Sequence, residues 1–220
     1  MNGLIANKNT FFLSLFCLLL SLMPVWGGAR ADDWQAWNRI MVRYRLNSRL
    51  SLASRLEYRQ TLTPYQAERV GANASLTYRP FRFLELEGFY EFQQIKNSGQ
   101  WRWRHRYIVG AQASTGYQWL KFSFRERFQQ SFFKERTENH LRSRVRVDCL
   151  PANSLLMPYF FSEIFLSARR ENFSEITRVR YRPGLRIALS GGQTLDLFYC
   201  RQNDIATAIH IVGAEWVIEF

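Results

Sequence analysis

The sequence predicts an all-β chain: an antiparallel transmembrane β-barrel of about 10–12 strands. Three observations predict it. From Ile40 onward apolar and polar residues alternate with period two in one segment after another, and period two means a strand with two unlike faces. Arginine is confined to one of those faces. The last segment, Thr207 to Phe220, sets Val212, Ala214, Trp216, Ile218 and Phe220 on a uniformly apolar face and stops on an aromatic residue.

The totals fit a single exported domain. The chain has 220 residues, 30 Lys plus Arg against 18 Asp plus Glu, and 16% Phe, Trp or Tyr. Few Gly or Pro and no Ser- or Pro-rich linker interrupt it after the start. The start is different: Lys8 precedes an almost continuous apolar run from Phe11 to Val25, and Ala29-Arg30-Ala31 precedes Asp32-Asp33. That is the plan of a cleaved secretory signal, with the cut expected after Ala31 and Ala29 and Ala31 as its small residues. The run is short for a membrane anchor, which needs roughly 20 residues. The expected division is 1–31 signal peptide and 32–220 outer-membrane barrel. Losing the leader removes Lys8 and Arg30 and leaves an excess of ten positive charges.

The first segment alternates Ile40, Val42, Tyr44 and Leu46 against Met41, Arg43 and Arg45, and Asn47-Ser48 turns it. The second sets Leu50, Leu52, Leu56 and Tyr58 against Ser51, Arg55, Glu57 and Arg59, which makes a tight hairpin. A longer loop is expected over 61–68, around Pro64. Val70, Ala72, Ala74, Leu76 and Tyr78 follow, and Pro80-Phe81-Arg82 turns into Leu84, Leu86, Tyr90 and Phe92 against Glu85, Glu87 and Glu91. After Asn97-Ser98-Gly99, Trp103, His105, Tyr107 and Val109 oppose Arg102, Arg104 and Arg106. Thr115-Gly116 leads to Leu120, Phe122, Phe124 and Phe128 against Lys121, Arg125 and Arg127.

A polar loop is expected over 130–139. Leu141, Val145, Val147 and Cys149 then oppose Arg142, Arg144, Arg146 and Asp148, and 151–154 turns into the least clear strand, 158–166, apolar on both faces apart from Ser162 and Glu163. Beyond a loop at 167–175, Val179, Tyr181, Leu185, Ile187 and Leu189 face Arg178, Arg180, Arg182 and Arg186. Gly191-Gly192 turns into Leu195, Leu197 and Tyr199, before the closing segment. Helices are excluded, because Arg at every second position would smear charge around a helical axis.

Short and long connections taking turns, and two outward aromatic girdles, point to a membrane rather than a soluble sandwich. With the carboxy terminus and short turns taken as periplasmic, Tyr44, Tyr78 and Phe220 form one girdle. Tyr58, Phe92, Trp103, Phe128 and Tyr199 form the other. The outward exceptions His105, Glu126, Arg201 and His210 are expected at the long-loop end. Eleven segments emerge, whereas single-chain bacterial barrels generally have an even number. Ten or twelve strands are therefore expected, with the region around Trp34 and Trp37 unassigned.

The inward face carries the chemistry: Arg43, Arg45, Arg55, Arg59, Arg102, Arg104, Arg106, Arg125, Arg127, Arg142, Arg144, Arg146, Arg178, Arg180, Arg182 and Arg186, against Glu85, Glu87, Glu91 and Glu163. Two functions follow from it. Ion pairs that fill a narrow interior make a structural or largely closed barrel, since a buried charge must find a partner or water. A wet basic lumen makes a narrow anion-favouring channel for small acidic solutes. An outer-membrane hydrolase is the third class, but His140 and Ser143 lie three apart, on opposite strand faces, and His105 and His210 face lipid. The expectation is no enzyme, no catalytic residue and no cofactor. No Cys/His cluster has metal-ligand spacing, and Cys149 and Cys200 lie on non-neighbouring strands, so no disulfide is expected. Confinement of Arg to one strand face argues against nucleic acid. The expected partners are outer-membrane lipid, possible small anionic solutes, and the barrel-assembly machinery through Trp216, Ile218 and Phe220. The barrel is expected to be monomeric.

From about Asp33 onward the chain resembles the uncharacterised Gram-negative outer-membrane barrel family catalogued as domain of unknown function 2490. The residues that carry the resemblance are Trp34-Gln-Ala-Trp37, Leu141-Arg-Ser-Arg-Val-Arg146, Pro158-Tyr-Phe-Phe-Ser-Glu163-Ile-Phe165, Arg178-Val-Arg-Tyr-Arg-Pro-Gly184-Leu and Leu195-Asp-Leu-Phe-Tyr199. It implies a barrel in the bacterial outer membrane and no particular activity.

Overall fold

A computed structural model describes residues 33–220 except 98, 135, 153 and 170–173. The expected signal peptide, with Ala29 and Ala31, lies outside the described residues. Eleven strands follow one another: β1 (Asp33–Arg45), β2 (Leu50–Leu62), β3 (Tyr65–Phe81), β4 (Leu84–Asn97), β5 (Gln100–Tyr117), β6 (Leu120–Phe132), β7 (Thr137–Cys149), β8 (Leu156–Ser167), β9 (Ile176–Ala188), β10 (Gln193–Asp204) and β11 (Ala208–Glu219). Each pairs antiparallel with its chain neighbour, and β1 closes on β11.

The count corrects the expectation of an even number. Eleven alternating directions leave β1 and β11 pointing the same way, so the seam has to be parallel. It is, from Asp33↔Ile209 to Arg43↔Glu219. Phe220 continues the ladder: its N–H donates to the Arg43 carbonyl at 2.9 Å, and its own carbonyl accepts from the Arg45 N–H at 3.0 Å. The region around Trp34 and Trp37 is the first half of β1, an ordinary barrel strand. Asp33 and Phe220 therefore stand at opposite ends, named here the N-rim and the C-rim.

The connections differ from expectation too. Strands β2 and β3 run on until residues 63–64 separate them, and β6 and β7 until 133–136 do, so the loops expected at 61–68 and 130–139 are largely ladder. Every backbone N–H and C=O in a strand gains a partner when the hairpin is extended, and the polar side chains there alternate as well as the apolar ones did. The sorting of connections by length is lost as a result. Between the ends of successive strands the widest spacing at the N-rim is 168–175 and at the C-rim 150–155.

Outside, the strands present bare aliphatic and aromatic groups: Leu56, Val109 and Val145 are 60%, 58% and 57% exposed. A soluble barrel would cover such a belt, because exposed apolar area on this scale is unfavourable in water. Inside, room is made by glycines of inward parity. A Cβ on Gly184 would sit 2.3 Å from the Tyr159 ring, and one on Gly213 would sit 2.2 Å from Phe198. Both rings lie across the interior where those glycines leave space. Phe198, Trp37, Cys200 and Ile211 pack together beside the parallel seam, each 6% exposed or less.

Candidate functional site

The interior of the barrel encloses a cavity of about 980 Å³. Among the described residues, nineteen arginines and Lys121 line it, against ten carboxylates. The strand period places them there: each inward position is flanked by inward positions on both neighbouring strands, so basic segments side by side make a basic wall.

Three carboxylate hubs organise the middle. Glu163 on β8 accepts from Arg125 Nη2 at 2.9 Å and from Arg142 Nη2 at 3.1 Å, and Arg180 Nη1 approaches to 3.6 Å. Glu57 on β2 accepts from Arg39 Nε at 2.7 Å and pairs with Arg59 at 2.7 Å. Arg39 also donates to Glu215 on β11 at 3.3 Å, which ties β1, β2 and β11 together behind the seam. Asp196 on β10 accepts from the Tyr159 hydroxyl at 2.6 Å and pairs with Arg182 at 3.4 Å.

Simple pairs fill the spaces between: Glu91 with Arg106, Glu87 with Arg127, and Asp148 with Arg146. Aromatic faces take up further charge. Arg59 lies 3.6 Å over Trp37 and Arg182 3.3 Å over Phe198, while Arg142 and Arg180 lie 4.5 Å and 4.7 Å from the Phe165 centroid. A desolvated stack of this kind contributes about 2 kcal/mol.

Exposure grades from the middle to the rims. The paired side chains of the middle are 3–13% accessible, as with Glu163 at 3% and Arg106 at 13%. At the C-rim Arg45 reaches 68% and Arg79 50%, and at the N-rim Arg178 reaches 35%. The arrangement is a densely paired charged layer in the middle with more accessible arginines toward both rims. Compensation is incomplete within it. Among the described residues, Arg104 hydrogen-bonds only the neutral Gln93, Arg144 only the neutral Gln112, and Arg69 has a buried Nε without a hydrogen-bond partner.

Of the arginines nominated from sequence, fifteen line this cavity. Arg102 does not: it has inward parity, but it is exposed near the start of β5. Glu85, Glu87, Glu91 and Glu163 all line it. Six lining carboxylates were not nominated, namely Glu57, Glu138, Asp148, Asp196, Glu215 and Glu219, together with Arg39, Arg49, Arg69 and Arg79. The signal for each was parity, since Glu57 lies between Arg55 and Arg59 on one face and Glu215 shares the face of Ile211. Trp216, Ile218 and Phe220 face outward at the C-rim; Trp216 Nε1 donates to Gln193 at 3.1 Å.

His140 lines the interior, while Ser143 on the same strand turns outward and donates to Glu126 at 2.9 Å, so the two are not brought together. Glu126 was expected near a rim and instead sits halfway along β6. His105 faces outward and shares a 2.7 Å hydrogen bond with the Tyr90 hydroxyl. Both Cys149 and Cys200 are free thiols. No group of three metal-ligating side chains occurs among the described residues.

The fold is that of known outer-membrane barrels. The chain is similar to LpxR from Salmonella typhimurium, with 8% identity over 88% of this chain and 91% of that one at a TM-score of 0.55. It is similar to a bacterial polysaccharide outer membrane secretin at 12% identity and TM-score 0.50, covering 77% of this chain but only 64% of the secretin's length. The translocator domain of the autotransporter NalP from Neisseria meningitidis aligns at 10% identity over 76% of this chain and 73% of its own, with a TM-score of 0.49. No curated protein matches the chain. Residues 34–209 match a family described as a protein of unknown function, DUF2490, and the chain belongs to that family.

Proposed function

We propose that this chain is an outer-membrane β-barrel whose arginine-rich interior is largely closed, a structural barrel rather than a wide pore. The observation that carries the reading is the middle layer of ion pairs and arginine–aromatic stacks, whose paired side chains are 3–13% accessible. Three facts support the membrane itself: an outer face that is mainly apolar, broken at mid-strand by the hydrogen-bonded pair Ser143–Glu126, the absence of a free sheet edge, and the likeness of fold to outer-membrane barrels. The orientation with Phe220 at the periplasmic rim follows the expectation for a terminal assembly strand.

A second reading is favoured by one specific observation, the excess of about ten positive charges around the cavity. Unpaired guanidinium groups need water or anions, so any permeation through this interior selects anions. Single-channel recording separates the two readings. Purified protein in a planar bilayer under a salt gradient is expected to show no steady conductance. A steady conductance with an anion-selective reversal potential establishes the pore instead. In that case Arg43→Gln with Arg45→Gln, at the C-rim and paired there with Glu219, weakens the anion preference.

A further inference from the structure

The strands sort arginine so strictly that one exception stands out. Arg201 on β10 is the single arginine of outward parity on the described strands, next to Tyr199 and flanked across the sheet by Tyr181 on β9 and His210 on β11. It lies three residues from the N-rim end of its strand. An outward charge at mid-depth would be costly, but at this level it meets the polar edge of a bilayer.

Its neighbours hold it in place. Arg201 Nη1 donates to His210 Nε2 at 3.0 Å, so that nitrogen carries no proton and the ring proton is on Nδ1. Nδ1 in turn donates to the Tyr199 hydroxyl at 2.6 Å. Trp34 on β1 stacks on the His210 ring at 4.8 Å and 17°, and lies 6.3 Å from Tyr199. One guanidinium edge is thus spent on the imidazole. Among the described residues no carboxylate pairs with the rest of it, whereas most of the interior arginines have one. Glu126, an outward carboxylate halfway along β6, is four strands away and engaged with Ser143.

We propose that this patch at the parallel seam is a binding site for the phosphate of a membrane lipid. The chemistry is specific to that source. A fixed planar guanidinium offers paired N–H donors to phosphate oxygens, and the Trp34 and Tyr199 rings beside it form an amphipathic platform for the glycerol or sugar edge and the first acyl carbons. A free phosphate ion has no use for that platform. The seam is also where a bound lipid would bridge β10, β11 and β1, on the one parallel pair of the barrel.

The inference rests on the outer-membrane reading, and its test keeps the two apart. Folded protein, verified by a mobility shift between unboiled and boiled samples, is titrated in detergent with phosphatidic acid, with diacylglycerol and with inorganic phosphate, and bound species are counted by native mass spectrometry. Phosphatidic acid is expected to bind, and diacylglycerol and millimolar phosphate to leave the protein bare. Arg201→Gln weakens the lipid about tenfold or more, and Arg201→Lys, which keeps the charge without the planar fork, recovers part of it. Undiminished binding by Arg201→Gln, equal retention of diacylglycerol, or capture of inorganic phosphate in place of the lipid overturns the site. A protein with no mobility shift, washed from membranes by urea, overturns the membrane reading instead.

Discussion

Glu163 shows what a single inward residue does in this barrel. Its side chain is 3% accessible and faces three guanidinium groups contributed by β6, β7 and β9. Replacing it with glutamine keeps the shape but leaves three buried cations sharing one neutral amide. Breaking a buried ion network by removing one member costs about 3–5 kcal/mol. Glu163→Gln is therefore expected to lower the unfolding free energy of the barrel in lipid vesicles by that amount, read as a lower urea midpoint at unchanged slope, while Arg45→Gln, at an exposed rim, leaves the midpoint unchanged. Equal midpoints for the two variants would remove Glu163 from the role of hub. The position of Glu163 was legible, because it is the one acid of an otherwise apolar segment and its parity matches the arginines of the next strand. Its partner on β6 was not, since Arg125 is 38 residues away and two strands removed.

Elements are set by the alternation, and their ends by pairing. The segments read from periodicity all became strands, yet β3 and β5 grew to 17 and 18 residues. The extensions are polar and lie beyond the apolar belt. Hydrophobic contrast fades there, and what continues the ladder is backbone hydrogen bonding between partners already in register. The parallel seam is the element-level feature most open to test. In a protein with Cys149→Ser and Cys200→Ala, cysteines at the outward pair Ala36→Cys and Val212→Cys are expected to cross-link on oxidation, because the two positions are direct partners in the parallel register. The pair Ala36→Cys and Trp216→Cys, four residues off that register, is expected to stay reduced. The opposite pattern, read on a non-reducing gel, contradicts the seam.

At the scale of the whole molecule, closure without a free edge and an apolar exterior make the barrel stable as one cooperative unit in lipid. Unboiled protein is expected to migrate faster than boiled protein in a denaturing gel and to resist extraction from membranes by urea; identical migration would sink the barrel as a folded membrane unit. The two scales of charge then have different origins. The sequence by itself determined the fold class, the inward face of every arginine strand and the outward belt, because a two-residue period allows one face only for each residue once one face is apolar. It did not determine how the excess of arginine is compensated. Glu57 and Glu215 are 158 residues apart in the chain and meet through Arg39 only because β1 closes on β11. Nor did it determine the parity of the strand count, which depends on whether the stretch before Ile40 extends the first strand, as it does, or forms a strand of its own. Those outcomes belong to closure. Only the tertiary structure brings the first strand against the last, and that contact decides both the sign of the seam and which charges become neighbours inside.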